Sequence, residues 1–127
     1  MSEIKATEPI RVDRPLTEEE YELTRWILEH GTPEASQFLE QLDRARVVAL
    51  CPCGCASINF EIEGLGKAPP DVRILGDSIF GGESDLSGIF VFESGGVLSG
   101  LEVFGYAGDA PKSLPNPSDR RPISGNA

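Results

Sequence analysis

The sequence predicts an α+β fold: an N-terminal helical hairpin packed on a mainly antiparallel sheet of four to five strands. Three observations predict it. Apolar residues recur with helical period between residues 16 and 46, and beyond residue 46 they alternate with polar ones as in half-buried strands. Short breaks rich in glycine and proline, of the length hairpin turns need, separate the alternating runs. Helices that precede the strands, instead of alternating with them, indicate segregated layers.

The length of 127 residues suits a single core. The chain divides into an extended arm over residues 1–15, one α+β domain over 16–106 and a proline-rich tail over 107–127. In the first helix Thr17 is the expected N-cap, Glu20 completes a capping box, and Leu16 can staple to Tyr21. Leu23, Trp26, Ile27 and His30 then mark one apolar face, and Gly31 ends the helix. A second helix is expected from Thr32 as N-cap and Pro33 at the first helical position, with Ala35, Phe38, Leu39 and Leu42 facing the core.

Arg46–Leu50 and Ser57–Glu63 read as strands flanking the run Cys51-Pro52-Cys53-Gly54-Cys55. Ile89–Phe92 and Val97–Phe104 form a hairpin around Gly95-Gly96. Phe90 and Phe92 point to one face and Ile89 and Val91 to the other, so this strand is apolar on both sides. Val72–Leu75 adds a further short strand within a stretch, Gly64–Gly88, that is otherwise loop. Pro111, Pro115, Pro117 and Pro122 keep the tail out of helix and central strand, leaving it disordered or laid over the sheet.

The formal net charge is −10, and residues 51–110 carry nine acids against two bases. Phosphate backbones are bound by clustered Lys and Arg, so nucleic acid is excluded as a partner, and anionic membrane surfaces with it. A basic protein partner fits the charge, and a homo-oligomer follows if the tail leaves one face of the apolar strand Ile89–Phe92 uncovered. No apolar run approaches a membrane span and the first residues lack the apolar core of a signal peptide, so the expected location is the cytoplasm. The paired glycines belong to neither phosphate-binding pattern, which argues against nucleotide binding.

All three cysteines fall within five residues. Read as a turn, Pro52 and Gly54 supply the geometry and the thiols pack as small apolar groups. Read as chemistry, Cys51, Cys53 and Cys55 are soft ligands for zinc or copper, with His30 as the remaining soft donor. A Cys-x-Cys pair can also form a strained, readily reduced disulfide. No Lys, Arg or His lies between Val47 and Gly66 to stabilise a thiolate. Cys51 to Gly54 resembles the opening of the SEC-C motif, a small zinc-binding module. The sequence departs from that motif at Cys55, with no later Cys-Cys or Cys-His pair, so zinc ligation is not carried over.

Asp77, Glu83 and Asp85 gather carboxylates in a glycine-containing stretch and are the candidate contacts to a basic partner. One histidine, no nucleophile motif and no catalytic carboxylate pair at identifiable spacing leave little from which to build an active site. The functional expectation is a non-enzymatic protein-binding module, with a metal-binding or thiol-redox protein using the cysteine cluster as the alternative.

Overall fold

The computed structural model describes residues 8–65, 69, 71–81, 86–106 and 108–115. Six strands form one antiparallel sheet in the order β1-β2-β3-β6-β5-β4. They are β1 Ile10–Pro15, β2 Ala45–Leu50, β3 Ile58–Ile62, β4 Arg73–Phe80, β5 Ser87–Ser94 and β6 Val97–Gly105. Helix α1, Glu18–Glu29, and a short helix α2, Leu39–Leu42, lie between β1 and β2 and pack on one face.

Helix α1 starts where its capping residues place it. The Glu20 N–H donates to Thr17 Oγ1 at 3.1 Å, and the Thr17 N–H donates back to Glu20 Oε1 at 2.9 Å. The same carboxylate receives both arms of the Arg14 guanidinium, at 2.9 and 3.0 Å, which ties β1 to the first turn of the helix. Leu23, Thr24, Ile27 and Leu28 are buried, whereas Trp26 is half-buried and His30 is an exposed C-cap. The buried stripe is thus rotated from the expected one toward Thr24 and Leu28.

The second element differs from a helix capped by Thr32. Ala35–Phe38 form a 3-10 turn and only Leu39–Leu42 are α-helical, with Glu34 at the cap position and no side-chain cap bond. The cause is a tertiary tie, because the Thr32 N–H donates to Leu75 O of β4 at 2.8 Å. That bond pins the corner after α1 to the sheet and leaves room for a short helix. Ala35 and Phe38, three apart, suit the period of a 3-10 turn and are both buried.

The sheet has six strands against the four to five expected, and β1 precedes the helices, which therefore do not form an N-terminal hairpin. β1 comes from the segment read as an arm and pairs antiparallel with β2, Ile10 opposite Leu50. It is an outer strand, where Pro15 costs no ladder bond. β4 comes from the stretch read mostly as loop and is eight residues long. Gly76 breaks its alternation because the helix passes over it: a Cβ there would stand 2.7 Å from Ile27 O and 3.0 Å from Gly31 Cα. The β5–β6 hairpin forms as expected, with positive φ at both Gly95 (59°) and Gly96 (90°). Gln41 of α2 clamps its end, donating to Gly96 O at 2.9 Å and accepting from the Leu98 N–H at 2.8 Å.

Ile89 and Val91 are fully buried between sheet and helices, which sets Phe90 and Phe92 on the opposite, outer face. There Phe92 and Phe104 lie across the glycines directly opposite them, Gly100 and Gly88. Both described helices and the tail residues Ala110 and Leu114 pack against the core cluster, so the described part of the tail covers the inner side.

Burial by itself would raise the carboxyl of Glu20, but the Arg14 hydrogen bonds and the Thr17 N–H outweigh it and hold it below its usual value. A lowered acid stabilises the fold above its unfolded pKa and loses that contribution as pH falls through the folded one. Glu20→Gln is expected to cost roughly 1–3 kcal/mol at neutral pH, a cost that shrinks as falling pH protonates the wild-type carboxylate, measured as the urea midpoint against pH. Parallel curves for wild type and variant would show that Glu20 carries no such linkage.

Candidate metal centre

The β2–β3 hairpin carries the three cysteines in its turn. Pro52 and Gly54 make the turn: the Gly54 N–H donates to Cys51 O at 3.1 Å, and Gly54 has φ of 89°, which favours glycine. Folding Cys51-Pro52-Cys53-Gly54 into a turn returns Cys53 toward Cys51, and Cys55 follows on the way into β3. The three Sγ atoms lie within 4.8 Å of one another. Cys51 Sγ and Cys53 Sγ are 2.8 Å apart, and the Cys55 N–H donates to Cys53 Sγ at 3.4 Å. Cys53 is exposed, while Cys51 and Cys55 are half-buried.

The tail completes the surroundings. The Ala56 N–H donates to Pro111 O at 3.0 Å, which lays residues 110–114 against the hairpin. Lys112 is thereby brought to the loop, its Nζ 3.7 Å from where a Cβ on Gly54 would stand. This corrects the expectation that no cation stabilises a thiolate here, since the base comes from the far end of the chain. Beside the cysteines lies an open cavity of about 390 Å³ whose lining includes Ile10, Arg14, Leu50, Cys51, Cys55 and Lys112.

The Cys51 and Cys53 sulfurs are shifted in opposite directions. The hydrogen bond with Cys53, then burial, pushes the Cys51 thiol up to about 11. Cys53 moves the opposite way, below its ordinary value, because it accepts from the Cys51 thiol and the Cys55 N–H and feels the charge of Lys112. This orders the pair, with Cys51 as the donor and Cys53 ionising before Cys51.

His30 is not brought to this group. It caps the far end of α1, stacked on Trp26 with ring centroids 4.4 Å apart and Nδ1 2.7 Å from Trp26 O. The cysteine cavity lies at the start of that helix, beside Thr17 and Glu20, and a 12-residue helix spans about 18 Å. His30 instead borders a separate cavity of about 330 Å³ that also touches Asp77. Asp77 lies in β4, not in a loop, opposite Phe90. Glu83 and Asp85 lie outside the described residues.

Two residues of interest were not singled out by sequence reasoning. Lys112 had no local signal, because its neighbourhood is made by the tail crossing the hairpin. Glu102 sits in an alternating strand like any outward acid, yet it is opposite Phe90 and burial raises its carboxyl above the usual value. Comparison of the chain with protein-family models, curated proteins and solved structures finds no match.

Near pH 8 iodoacetamide is expected to label Cys53 before Cys51, and Lys112→Ala to slow the labelling of Cys53. Timed quenching with peptide mass spectrometry reads the order, and earlier labelling of Cys51 would reverse the donor assignment.

Proposed function

We propose that the protein binds a soft metal ion through the thiolates of Cys51, Cys53 and Cys55, with Cu⁺ as the favoured ion. The observation that carries this reading is the gathering of three Sγ atoms within 4.8 Å of one another on a turn that is itself hydrogen-bonded. With metal–sulfur bonds near 2.3 Å, sulfurs around one ion stand about 3.8–4.0 Å apart, a spacing that lies between the 2.8 Å of the Cys51–Cys53 pair and the 4.8 Å that bounds the group. Three thiolates satisfy a trigonal Cu⁺, whereas zinc in a structural site takes four ligands. No fourth cysteine, histidine or carboxylate belongs to the group among the described residues, which favours copper over zinc.

Reduced, chelator-free protein titrated with Cu⁺ is expected to take up about one equivalent, with proton release and a new sulfur-to-metal absorption band, and Cys53→Ser to lose most of the affinity. Uptake below about a tenth of an equivalent would sink the reading. Stoichiometric zinc with a water or second chain as fourth ligand would keep the site and change the ion.

The outer sheet face favours a second reading, a docking surface for a basic protein segment. Asp77, Phe90 and Glu102 lie side by side on β4, β5 and β6, and among the described residues neither acid is in an ion pair. Phe90 also contacts Phe92 and Phe104, and Phe104 contacts Tyr106, at centroid distances of 5.9, 6.2 and 5.2 Å. Aromatic faces bordered by carboxylates attract guanidinium and ammonium groups, and the net charge of −10 adds a long-range pull. An Arg-rich peptide is expected to bind with affinity that falls as salt rises, and Asp77→Asn with Glu102→Gln to weaken it about tenfold. Calorimetry showing equal binding by the double variant would remove this face from consideration.

A further inference from the structure

The cysteine hairpin has the parts of a second chemistry that needs no metal. Cys53 is the exposed sulfur of the three, so it is the one a reagent in solution meets first. Cys51 Sγ lies 2.8 Å from it and is the sulfur in contact with it. The Cys55 N–H lies 3.4 Å from Cys53 Sγ, and the tail brings the Lys112 side chain to the same turn, so a donor and a cation already stand at this end of the hairpin. The open cavity of about 390 Å³ beside Cys51 and Cys55, whose lining includes Arg14 and Lys112 together with Glu19 and Glu20, gives room for a small molecule next to the Cys51 sulfur.

We propose that this hairpin carries out thiol–disulfide exchange with small disulfides, Cys53 attacking and Cys51 resolving. In the first step the Cys53 thiolate attacks one sulfur of the disulfide, forming a mixed disulfide and releasing one thiolate. In the second, Cys51 loses its proton to a departing thiolate and attacks Cys53, forming the Cys51–Cys53 bond and releasing the second thiol. Two protein thiols are oxidised by two electrons and one disulfide is reduced to two thiols, so atoms and charge balance. The product ring, with one residue between its cysteines, is strained and so is readily reopened by monothiols. Cys55 takes no covalent part.

The activity uses the same sulfurs as the proposed metal site and would control that site, because formation of the Cys51–Cys53 bond removes two of its three ligands. This control rests on the metal reading, whereas the exchange does not. The test is made on full-length, reduced, metal-free protein with glutathione disulfide in about tenfold excess, quenched with acid and iodoacetamide and read by peptide mass spectrometry. The expected result is a fall from three free thiols to one, with Cys51 joined to Cys53, Cys55 alkylated, and reversal on adding reduced glutathione. Cys51→Ser is expected to accumulate glutathione on Cys53, and Cys53→Ser to react at least tenfold more slowly than wild type.

Three unmodified thiols in the wild type, or glutathione trapped mainly on Cys55 in Cys51→Ser, would overturn the proposal. Since the wild-type experiment stands without the variants, their stability does not affect it. A separate Cu⁺ titration distinguishes the two readings. Exchange without metal uptake removes the metal site alone, and metal uptake without exchange removes this activity alone.

Discussion

The carboxylate of Glu20 is where the separate pieces of this fold are joined. It is nearly buried, caps the helix through Thr17 and accepts both arms of Arg14 from the outermost strand. A helix end and a strand end are thereby fixed to one another by a charged group with no freedom to reorient. Losing Arg14 would leave the shielded Glu20 carboxylate without its ionic partner, which costs more than the pair gains in isolation. The position of α1 over the sheet, and with it one wall of the cavity beside the cysteines, depends on this node.

What could be read from the sequence was what local chemistry decides. The Thr17–Glu20 capping box, the glycine pair of the last hairpin and the β2–β3 pairing around the cysteines each follow from residues a few positions apart. β1, β4 and the short second helix were set by contacts between distant segments. β1 becomes a strand because β2 offers it an edge, and its composition around two prolines carries no strong period. β4 is disguised by Gly76, whose missing side chain is required by Ile27 and Gly31, not by a turn. The second helix is shortened by a bond to Leu75, about forty residues away.

The same division runs through the site. Three cysteines in five residues were bound to be neighbours once the segment turned, so their clustering was legible. Their fourth companion was not. His30 shares their chemistry but stands at the wrong end of α1, while Lys112 shares none of their pattern and arrives because Pro111 accepts a bond from Ala56. Asp77 was legible as an acid and misread as a loop residue. Its significance lies in sharing a face with Phe90 and Glu102, which only the strand register shows.

The corner at Thr32 has a consequence beyond shortening a helix. A sheet with two free edges invites other strands to add to it. Here the Thr32 N–H already occupies the Leu75 carbonyl on the β4 side, and on the β1 side Pro15 has no N–H to donate. Each border strand therefore meets an incoming strand with part of its ladder blunted or spent. Lateral polymerisation is discouraged at both margins by a single backbone bond and a single ring, so the molecule can present a broad apolar face while remaining a poor template for endless sheet growth.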